Sequence, residues 1–381
     1  MSVTVSERMG RVMPSATSAV LGLAMELREA GRDVISLGAG EPDFDTPVHI
    51  KQSAIQAIRD GETKYTAIDG TKHLKRAIQE KFERDNQLTY EADQILVSVG
   101  AKHTIFNACM GLLSAGDEAI IPAPYWVSYP DMVRIAEGTP VVIETGIEDG
   151  FKVTPDKLSA AISGKTRLFM LNSPSNPTGS CYTRAELKAL GDVLRRHPNI
   201  VVLADDIYEH IHWADEPFCS LATACPELYD QVVTVNGVSK CYAMTGWRVG
   251  YAGGPKEVIK AMKTIQSQIT SNPCSISQVA AAAALNGDQS CVNEMVKSYK
   301  YRSDYVVAAL NDIPGFEWRE GEGAFYAFPK VTGAMAIKGL KTDADLVKLI
   351  LERGDVVMVP GTPFGAPGYL RISFACSIEH L

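Results

Sequence analysis

Two basic residues in one short segment of this 381-residue chain, Lys240 and Arg248, have side chains suited to one kind of chemistry. A lysine that loses its proton can form a Schiff base with an aldehyde. The planar fork of N–H donors on an arginine can hold a phosphate. Pyridoxal phosphate carries both groups, so the segment favours a site for that cofactor. A solvated lysine beside a structural arginine is the alternative that these two residues leave open.

A second pair of functional side chains, Asp205 and Tyr208, follows the apolar run 200–204. A carboxylate beside a buried pyridine nitrogen keeps that nitrogen protonated, which makes the ring an electron sink. A phenol nearby can hydrogen-bond the 3′ oxygen of the same ring. A helix cap at the end of a strand is the alternative for Asp205.

Four other positions combine a suitable side chain with a suitable place. Asn176 lies in a turn with two X-Pro bonds that are candidates for cis geometry. The residues 100–102 join a strand to a helix, and the free amides of a helix start bind phosphate. Trp126 can stack on a flat ring, and the fork of Arg371 matches a carboxylate. The alternatives are a plain surface turn for Asn176, a core tryptophan for Trp126 and an internal ion pair for Arg371.

Apolar runs alternate with segments of helical period along most of the chain, which predicts a mostly parallel sheet covered by helices. The predicted strands are 95–100, 118–122, 167–172, 200–205 and 231–236, and a helix is predicted over 101–113. Ligands of such sheets bind beyond the carboxyl ends of the strands, where the side chains above lie. After about residue 290, shorter strands around 316–319, 323–328 and 369–374 predict a smaller α+β domain.

The composition excludes several classes of protein. Apolar residues make up 46% of the chain and charged residues 22%, as in ordinary globular proteins. A net charge of −8 provides no basic field for nucleic acid or an anionic membrane. Eight cysteines without C-x-x-C spacing indicate reduced thiols rather than zinc ligands or disulfides. With no export signal and no apolar run of membrane-spanning length, we expect a cytoplasmic protein.

The order of these motifs resembles the class I, fold type I pyridoxal-phosphate aminotransferases over nearly the whole chain, and within them the bacterial aspartate and prephenate aminotransferase branch. The segments that carry the resemblance are 14–20, 36–47, 64–70, 124–129, 176–179, 244–248, 323–326 and the strand with Arg371. The resemblance implies an α/β fold with a large cofactor-binding domain at 45–290. It also implies a small domain built from 1–44 and 291–381.

The resemblance further implies a role for each site residue. Lys240 would bond the aldehyde of pyridoxal 5′-phosphate and move the substrate's α-proton, with Asp205 and Tyr208 as the other catalytic residues. The remaining cofactor-binding residues would be Ala101, Lys102, Trp126, Asn176, Ser239 and Arg248, joined by Tyr65, which in this family reaches the neighbouring subunit's phosphate. A homodimer with shared active sites is therefore expected.

Substrate preference depends on fewer residues. Arg371 and the backbone of Gly40, beside Trp126 and Asn176, would hold the α-carboxylate side of an amino acid. Lys102, with Ser15 and Thr17, would receive a distal carboxylate. We therefore expect amino transfer between aspartate or glutamate and 2-oxo acids. Prephenate is a further candidate acceptor, although Met13 stands where prephenate-using members often have a lysine.

Three other functions share parts of this pattern. A β-lyase acting on sulfur amino acids uses the same lysine, aspartate and phosphate set, and aromatic or broad-specificity aminotransferases share the motifs. Transcription regulators also carry this fold as a sensing module, but those proteins have a basic DNA-binding extension. Here the motifs begin within the first twenty residues. The expected partners are therefore amino acids and 2-oxo acids, with no nucleic acid, membrane or metal.

Overall fold

The structure is a computed structural model and describes residues 3–381. Within those residues the α-helices are α1 Ala16–Glu29, α2 Val48–Arg59, α3 Lys72–Asn86, α4 Ala101–Leu112, α5 Tyr129–Ile135, α6 Pro155–Ala161, α7 Arg184–Leu194, α8 Leu221–Ala224, α9 Lys256–Ile269, α10 Ser275–Asn286, α11 Ser290–Asn311, α12 Thr332–Lys338 and α13 Asp343–Gly354. The strands are β1 Ile35–Ser36, β2 Ile95–Ser98, β3 Glu118–Ala123, β4 Thr139–Glu144, β5 Thr166–Asn172, β6 Val201–Asp205, β7 Val232–Gly237, β8 Gly250–Gly253, β9 Tyr326–Ala327, β10 Val356–Val357, β11 Val359–Pro360 and β12 Leu370–Ser373.

Seven strands form the central sheet, in the order β2-β8-β7-β6-β5-β3-β4. Neighbouring strands run parallel except at β8, which is antiparallel to both β2 and β7. The predicted α/β fold with a mostly parallel sheet is therefore confirmed.

The strands are apolar along their length because helices cover both faces of the sheet. In β2, Ile95 and Val97 pack in one layer with Leu74 of α3, while Leu96 packs with Ile105 of α4 in the opposite layer. Successive side chains of a strand point to opposite faces, so a sheet buried on both faces needs apolar residues at consecutive positions.

The two ends of the chain meet in a second, smaller region. β11, β12 and β9 form a three-stranded antiparallel sheet, and β1 pairs in parallel with β10. Tyr299 of α11 packs against Phe325 beside that sheet. The small domain of 1–44 and 291–381 that the resemblance implies, and its boundaries at 44/45 and 290/291, stay predictions.

The five predicted strands of the large sheet correspond to β2, β3, β5, β6 and β7, and the helix predicted over 101–113 corresponds to α4. The strand predicted around 316–319 is wrong. Glu317 makes only an isolated antiparallel bridge to Lys330, and in the described residues the pairing does not continue through 318–319. No helix in the described part of the chain combines the length and apolar character that crossing a membrane requires.

Candidate active site at the carboxyl edge of the sheet

The order of the strands brings residues from distant parts of the sequence to one edge. β3, β5, β6 and β7 are neighbours and run parallel, so their carboxyl ends lie side by side. Trp126 follows β3, Asn176 follows β5, Asp205 ends β6 and Lys240 follows β7. Arg248 precedes β8, whose antiparallel direction puts its start at the same edge. The topology thus collects these residues where ligands of α/β sheets bind.

A cavity of about 360 Å³ opens at this edge. The predicted site residues that line it are Thr17, Gly40, Ala101, Lys102, Trp126, Asn176, Asp205, Tyr208, Ser239, Lys240, Arg248 and Arg371. Ser15 instead lines an adjoining cavity of about 780 Å³, which Lys102 and Arg248 also line. Tyr65 lies apart from both cavities, and 92% of its surface is exposed. The structure therefore brings together all the predicted residues except Ser15 and Tyr65.

Lys240 is half-buried at the turn that follows β7. The Nζ atom donates a hydrogen bond to the carbonyl oxygen of Gly40 at 2.6 Å. Burial, with smaller contributions from Arg371 and Arg248, lowers the pKa of Lys240 to about 8, although Glu41 and Asp205 act in the opposite direction. Because this pKa lies well below that of a solvated lysine, a useful fraction of the amine is neutral near pH 7 and able to act as a nucleophile.

Asp205 ends β6 and does not cap a helix. Its Oδ2 atom accepts a hydrogen bond from the hydroxyl of Tyr129 at 2.6 Å, and Oδ1 accepts one from the amide of Ile207 at 3.4 Å. Burial raises the pKa of Asp205 to about 6, while Tyr129, Ile207 and Lys240 act in the opposite direction. The carboxylate is therefore ionised at neutral pH in a buried setting, as a partner for a cationic ring nitrogen needs to be.

Tyr129 and Tyr326 are site residues that the sequence analysis missed. Tyr129 is buried in the first turn of α5 and packs edge-on against Trp126, with ring centroids 5.4 Å apart. The hydroxyl of Tyr326 lies 2.8 Å from the hydroxyl of Tyr208. Both residues lie in motifs that carry the family resemblance, yet nothing in their local sequence indicates which carboxylate or phenol they contact.

The first turn of α4 and Arg248 form a cationic recess. Gly100 precedes the helix with a φ of +83°, and a Cβ atom built there would lie 2.4 Å from Nη2 of Arg248. Nη1 of Arg248 donates to the carbonyl oxygen of Thr245 at 2.9 Å, and no carboxylate in residues 3–381 pairs with the guanidinium. Free helix amides beside an arginine without an anionic partner are the groups that hold a phosphate.

Arg371 is a second cation without a carboxylate partner in the described chain. The residue is 1% exposed and lies between the rings of Tyr326 and Phe364, 4.6 Å and 5.1 Å from the guanidinium carbon. It donates to the carbonyl oxygen of Gly38 at 2.7 Å and to Oδ1 of Asn176 at 3.1 Å. Within residues 3–381 its Nε atom finds no partner. The internal ion pair considered from the sequence is therefore not found, and the guanidinium is available to an anionic ligand.

The predicted residues for a distal carboxylate lie at the mouth of the cavity. Nζ of Lys102 is 4.9 Å from the ring centre of Trp126, and burial together with Arg248 lowers the pKa of this lysine. The hydroxyls of Ser15 and Thr17 lie 3.1 Å apart, and Ser15 caps α1 by accepting from the amide of Ser18. Thr17 lines the 360 Å³ cavity with Lys102, and Ser15 lines the adjoining cavity, which Lys102 also lines.

Together these groups fit pyridoxal phosphate. The recess beside Gly100 suits its phosphate, the carboxylate of Asp205 suits its ring nitrogen, and the amine of Lys240 suits its aldehyde. The orphaned Nε of Arg371 leaves a second position for an anion, as a substrate carboxylate would require.

Comparisons with known proteins give a consistent result. Residues 32–381 match the model of the family described as aminotransferase class I and II. The chain is 52% identical to the aspartate/prephenate aminotransferase of Nitrosomonas europaea, covering 99% of this chain and 96% of the relative. The solved structure of an aspartate aminotransferase from Rhizobium meliloti aligns with a TM-score of 0.95 at 49% identity, covering 100% of this chain and 96% of the other. That of a Thermus thermophilus aspartate aminotransferase with maleate aligns with a TM-score of 0.93 at 40% identity, covering 100% and 97%.

Proposed function

Because this chain belongs to the class I and II aminotransferase family, we propose that it is a pyridoxal-phosphate-dependent aspartate aminotransferase. The observation that carries the proposal is the meeting of Lys240, Asp205 and Arg371 in one cavity. A nucleophilic amine, a buried carboxylate and an arginine without a carboxylate partner serve the cofactor's aldehyde, the cofactor's ring nitrogen and the substrate's carboxylate, respectively.

When bound, pyridoxal phosphate supplies an electron sink that stabilises the negative charge left by the α-proton of the amino acid. The recess of Ala101, Ser239 and Arg248 would hold the phosphate, and Trp126 would stack on the ring. Asp205 would keep the ring nitrogen protonated, and Tyr208 and Asn176 would bind the 3′ oxygen. Asp205, Tyr208, Asn176 and Ser239 are buried, which supports a fixed orientation and the exclusion of water.

Lys240 has two duties in this proposal. Its neutral amine would hold the aldehyde group of the cofactor, and Nζ would be the base that takes the proton from the substrate's α-carbon. The low pKa of the amine supports both steps, because only the unprotonated form can attack or accept a proton. Its distance of 6.0 Å from the ring centre of Tyr208 puts it beside the residues that orient the cofactor.

The preferred substrates are dicarboxylic: aspartate or glutamate as donors, and oxaloacetate or 2-oxoglutarate as acceptors. Arg371 binds the α-carboxylate beside the backbone of Gly40, and Lys102 with Thr17 and Ser15 receives the distal one. The Thermus thermophilus relative was solved with maleate, itself a dicarboxylate. The presence of both Arg371 and Lys102 among the residues that line the cavity supports such a selection.

Replacing Lys102 with Ala tests this pocket. Without the distal cation, activity on aspartate is expected to fall by about 30-fold, since a charge-assisted hydrogen bond contributes roughly 2 kcal/mol. Activity on alanine, which has no distal carboxylate, is expected to change by less than about threefold. The ratio of kcat/KM for the two donors is the measurement. An equal loss on both donors would mean that Lys102 does not recognise the distal carboxylate.

Prephenate is a second candidate acceptor. The relative from Nitrosomonas europaea bears prephenate in its name, and the larger adjoining cavity offers apolar surface at Phe106 and Met13 beside Lys102. Met13 is 71% exposed and provides no charge for a second carboxylate. We therefore place prephenate after 2-oxoglutarate and oxaloacetate.

The expected homodimer and cytoplasmic location belong to the same proposal. The 92% exposure of Tyr65 supports a role outside its own chain's cavity, as expected if it reaches a partner's phosphate site. The division into a large domain of 45–290 and a small domain of 1–44 and 291–381 is part of the same proposal.

A matrix of donors and acceptors tests the function directly. Aspartate, glutamate, alanine, tyrosine and cystathionine are each combined with 2-oxoglutarate, oxaloacetate and prephenate. Fast transfer from aspartate or glutamate is the expected result. Formation of pyruvate from cystathionine without any 2-oxo acid would instead establish a β-lyase, and preference for tyrosine an aromatic aminotransferase.

A further inference from the structure

A cluster of charged and polar side chains with a buried centre lies beside the turn that carries Asp205 and Tyr208. We call it the α3 cluster, because four of its members come from the last two turns of helix α3. Its members are Lys81, Arg84, Asp85 and Asn86 of α3 and Glu209 and His210 of the turn.

The centre of the cluster is an ion pair between Lys81 and Glu209, whose side chains are 1% and 3% exposed. Asn86 bridges the two charges. It accepts a hydrogen bond from Nζ of Lys81 at 2.6 Å through Oδ1, and its Nδ2 donates to Oε2 of Glu209 at 2.7 Å. The backbone oxygen of Asn86 accepts another bond, from the hydroxyl of Thr223 at 2.6 Å. The geometry of the pair is therefore fixed from several directions.

The outer part of the cluster balances the charge. Nε2 of His210 lies 3.4 Å from an oxygen of Glu209 and 3.4 Å from one of Asp85. Asp85 also accepts a hydrogen bond from Nε of Arg84 at 2.6 Å. The two carboxylates and the imidazole are close enough to suggest a metal site. The ammonium of Lys81 already provides the cation between them, and a second buried cation there would be repelled.

Glu209 is the charged anchor of a short turn from which Asp205, Ile207 and Tyr208 reach the active site. The amide of Glu209 donates to the carbonyl oxygen of Asp206 at 2.9 Å, and that of Ile211 donates to Tyr208 at 2.8 Å. Tyr208 lines the cavity with Lys240, while its neighbour Glu209 points to α3. A shift of Glu209 would therefore move Tyr208, and with it the residues of the turn back to Asp205.

We propose that Lys81 and Glu209 are positioning residues, which hold the turn 205–211 so that Asp205 and Tyr208 meet the cofactor in the productive geometry. The proposal rests on the proposed function for the identity of that cofactor. A buried ion pair is weak evidence for stability, since apolar residues of similar size often serve as well. Its value lies in geometry, because a misplacement of about 1 Å at an active site can lower the rate by about 100-fold.

Three variants of the purified holoenzyme test the proposal. Glu209→Gln removes the charge and leaves the ammonium of Lys81 unpaired. The double variant Lys81→Met with Glu209→Leu removes both charges and keeps the volume apolar. Glu186→Gln is the matched control, because Glu186 pairs with Lys152 at 2.9 Å and caps α7 away from the cavity.

The melting temperature and the hydrogen exchange of the turn 205–211 are measured on each variant. The pH midpoint of the visible cofactor band is measured as well, together with kcat and KM for aspartate. Glu209→Gln is expected to speed exchange in the turn by about tenfold, to shift the midpoint and to lower kcat by about tenfold while KM changes by less than about threefold. The double variant is expected to recover the melting temperature of the wild type but neither the midpoint nor kcat.

The proposal would be overturned if Glu209→Gln kept the hydrogen exchange, the pH midpoint and the kcat of the wild type. It would also be overturned if the double variant recovered all three values, because the cluster would then be merely structural. A matching loss in Glu186→Gln would also overturn it. Exchange in the turn can be measured without cofactor. A wild-type protein that lacks a visible band would therefore count against the proposed function, while exchange in the turn would still decide the role of the cluster.

Discussion

At the scale of single residues, the pKa of Lys240 determines the pH range in which the amine can react. Burial lowers that pKa to about 8, against about 10.4 for a solvated lysine. The neutral fraction rises with pH and is nearly complete one to two pH units above the folded value. We therefore predict that the rate at which the apoenzyme captures pyridoxal phosphate rises with a midpoint near pH 8 and then levels off.

Absorbance during reconstitution at a series of pH values measures that rate. The Lys240→Ala variant is the control and is expected to develop no pH-sensitive visible band and no turnover. A midpoint near pH 10 in the wild type would show that the amine is solvated before the cofactor binds. A visible band and turnover in the variant would remove Lys240 from the mechanism altogether.

The hydrogen bond from Tyr129 to Asp205 provides a second prediction at this scale. Burial raises the pKa of Asp205, and the phenol opposes that rise by stabilising the carboxylate. Loss of a hydrogen bond to a charged group costs roughly 1.5–3 kcal/mol, or about one to two pKa units. In Tyr129→Phe the carboxylate therefore protonates at higher pH, and the acid limb of the kcat profile is expected to move upward by at least about one unit.

A pH profile of kcat from pH 5 to 9 measures the shift. Tyr125→Phe is the matched control, since this phenol in the same segment is half-buried and lies beside Gly365 rather than Asp205. An unshifted acid limb in Tyr129→Phe would mean that the charge of Asp205 does not depend on the phenol.

At the scale of elements, the start of helix α4 depends on a residue without a side chain. Gly100 has a φ of +83°, and a Cβ atom there would lie 2.4 Å from Nη2 of Arg248. Gly100→Ala is therefore expected to push the guanidinium out of the phosphate recess and to weaken cofactor affinity by about tenfold or more. Equilibrium titration of the apoenzyme with pyridoxal phosphate is the measurement.

Gly116→Ala separates crowding from backbone strain. Gly116 has a similar φ of +95°, and nothing lies within 4 Å of the position of a Cβ atom there. Gly116→Ala is expected to lose about 1 kcal/mol of stability from backbone strain alone. Gly100→Ala is expected to lose more, because its ψ of 160° at positive φ belongs to a region essentially restricted to glycine. Only Gly100→Ala is expected to lose affinity. An equal loss of affinity in both variants would contradict the proposed phosphate recess.

Elements whose structure is determined by the local pattern could be predicted from the sequence. Elements whose structure is determined by distant contacts could not. The apolar runs of β5 and β6 indicate buried strands by themselves. β8 begins and ends with glycine, which disfavours a strand, and its place between β2 and β7 is determined by pairing. β4 contains Pro140, which a strand at the edge of a sheet tolerates.

The same distinction holds in the site. The chemistry of Lys240, Asp205 and Arg371 could be inferred from residue type and strand-end position. The partners that tune them could not be inferred, because Tyr129 reaches Asp205, and Lys81 reaches Glu209, only after the sheet and helices have packed. The contact of Tyr326 with Tyr208 likewise joins the small antiparallel sheet to the end of β6.

At the scale of the whole molecule, the exposure of Tyr65 yields a prediction about assembly. If Tyr65 completes the site of a partner subunit, a Lys240→Ala subunit and a Tyr65→Ala subunit each carry the residue that the other lacks. In a hybrid dimer, the subunit with Lys240 then receives an intact Tyr65 from its partner. Random exchange makes about half of the dimers hybrid, and one of the two sites in each is intact, so about a quarter of all sites recover.

Activity after refolding or subunit exchange of an equal mixture measures this recovery. It is expected to approach about a quarter of the wild-type activity, above the mean of the two unmixed variants. If Tyr65 acted in its own chain, every site of the hybrid would lack one of the two residues, and mixing would add nothing. Tyr65 is 92% exposed and does not line the cavity of Lys240 in its own chain. These two facts favour the first result, because the phenol is then free to reach the site of a partner subunit.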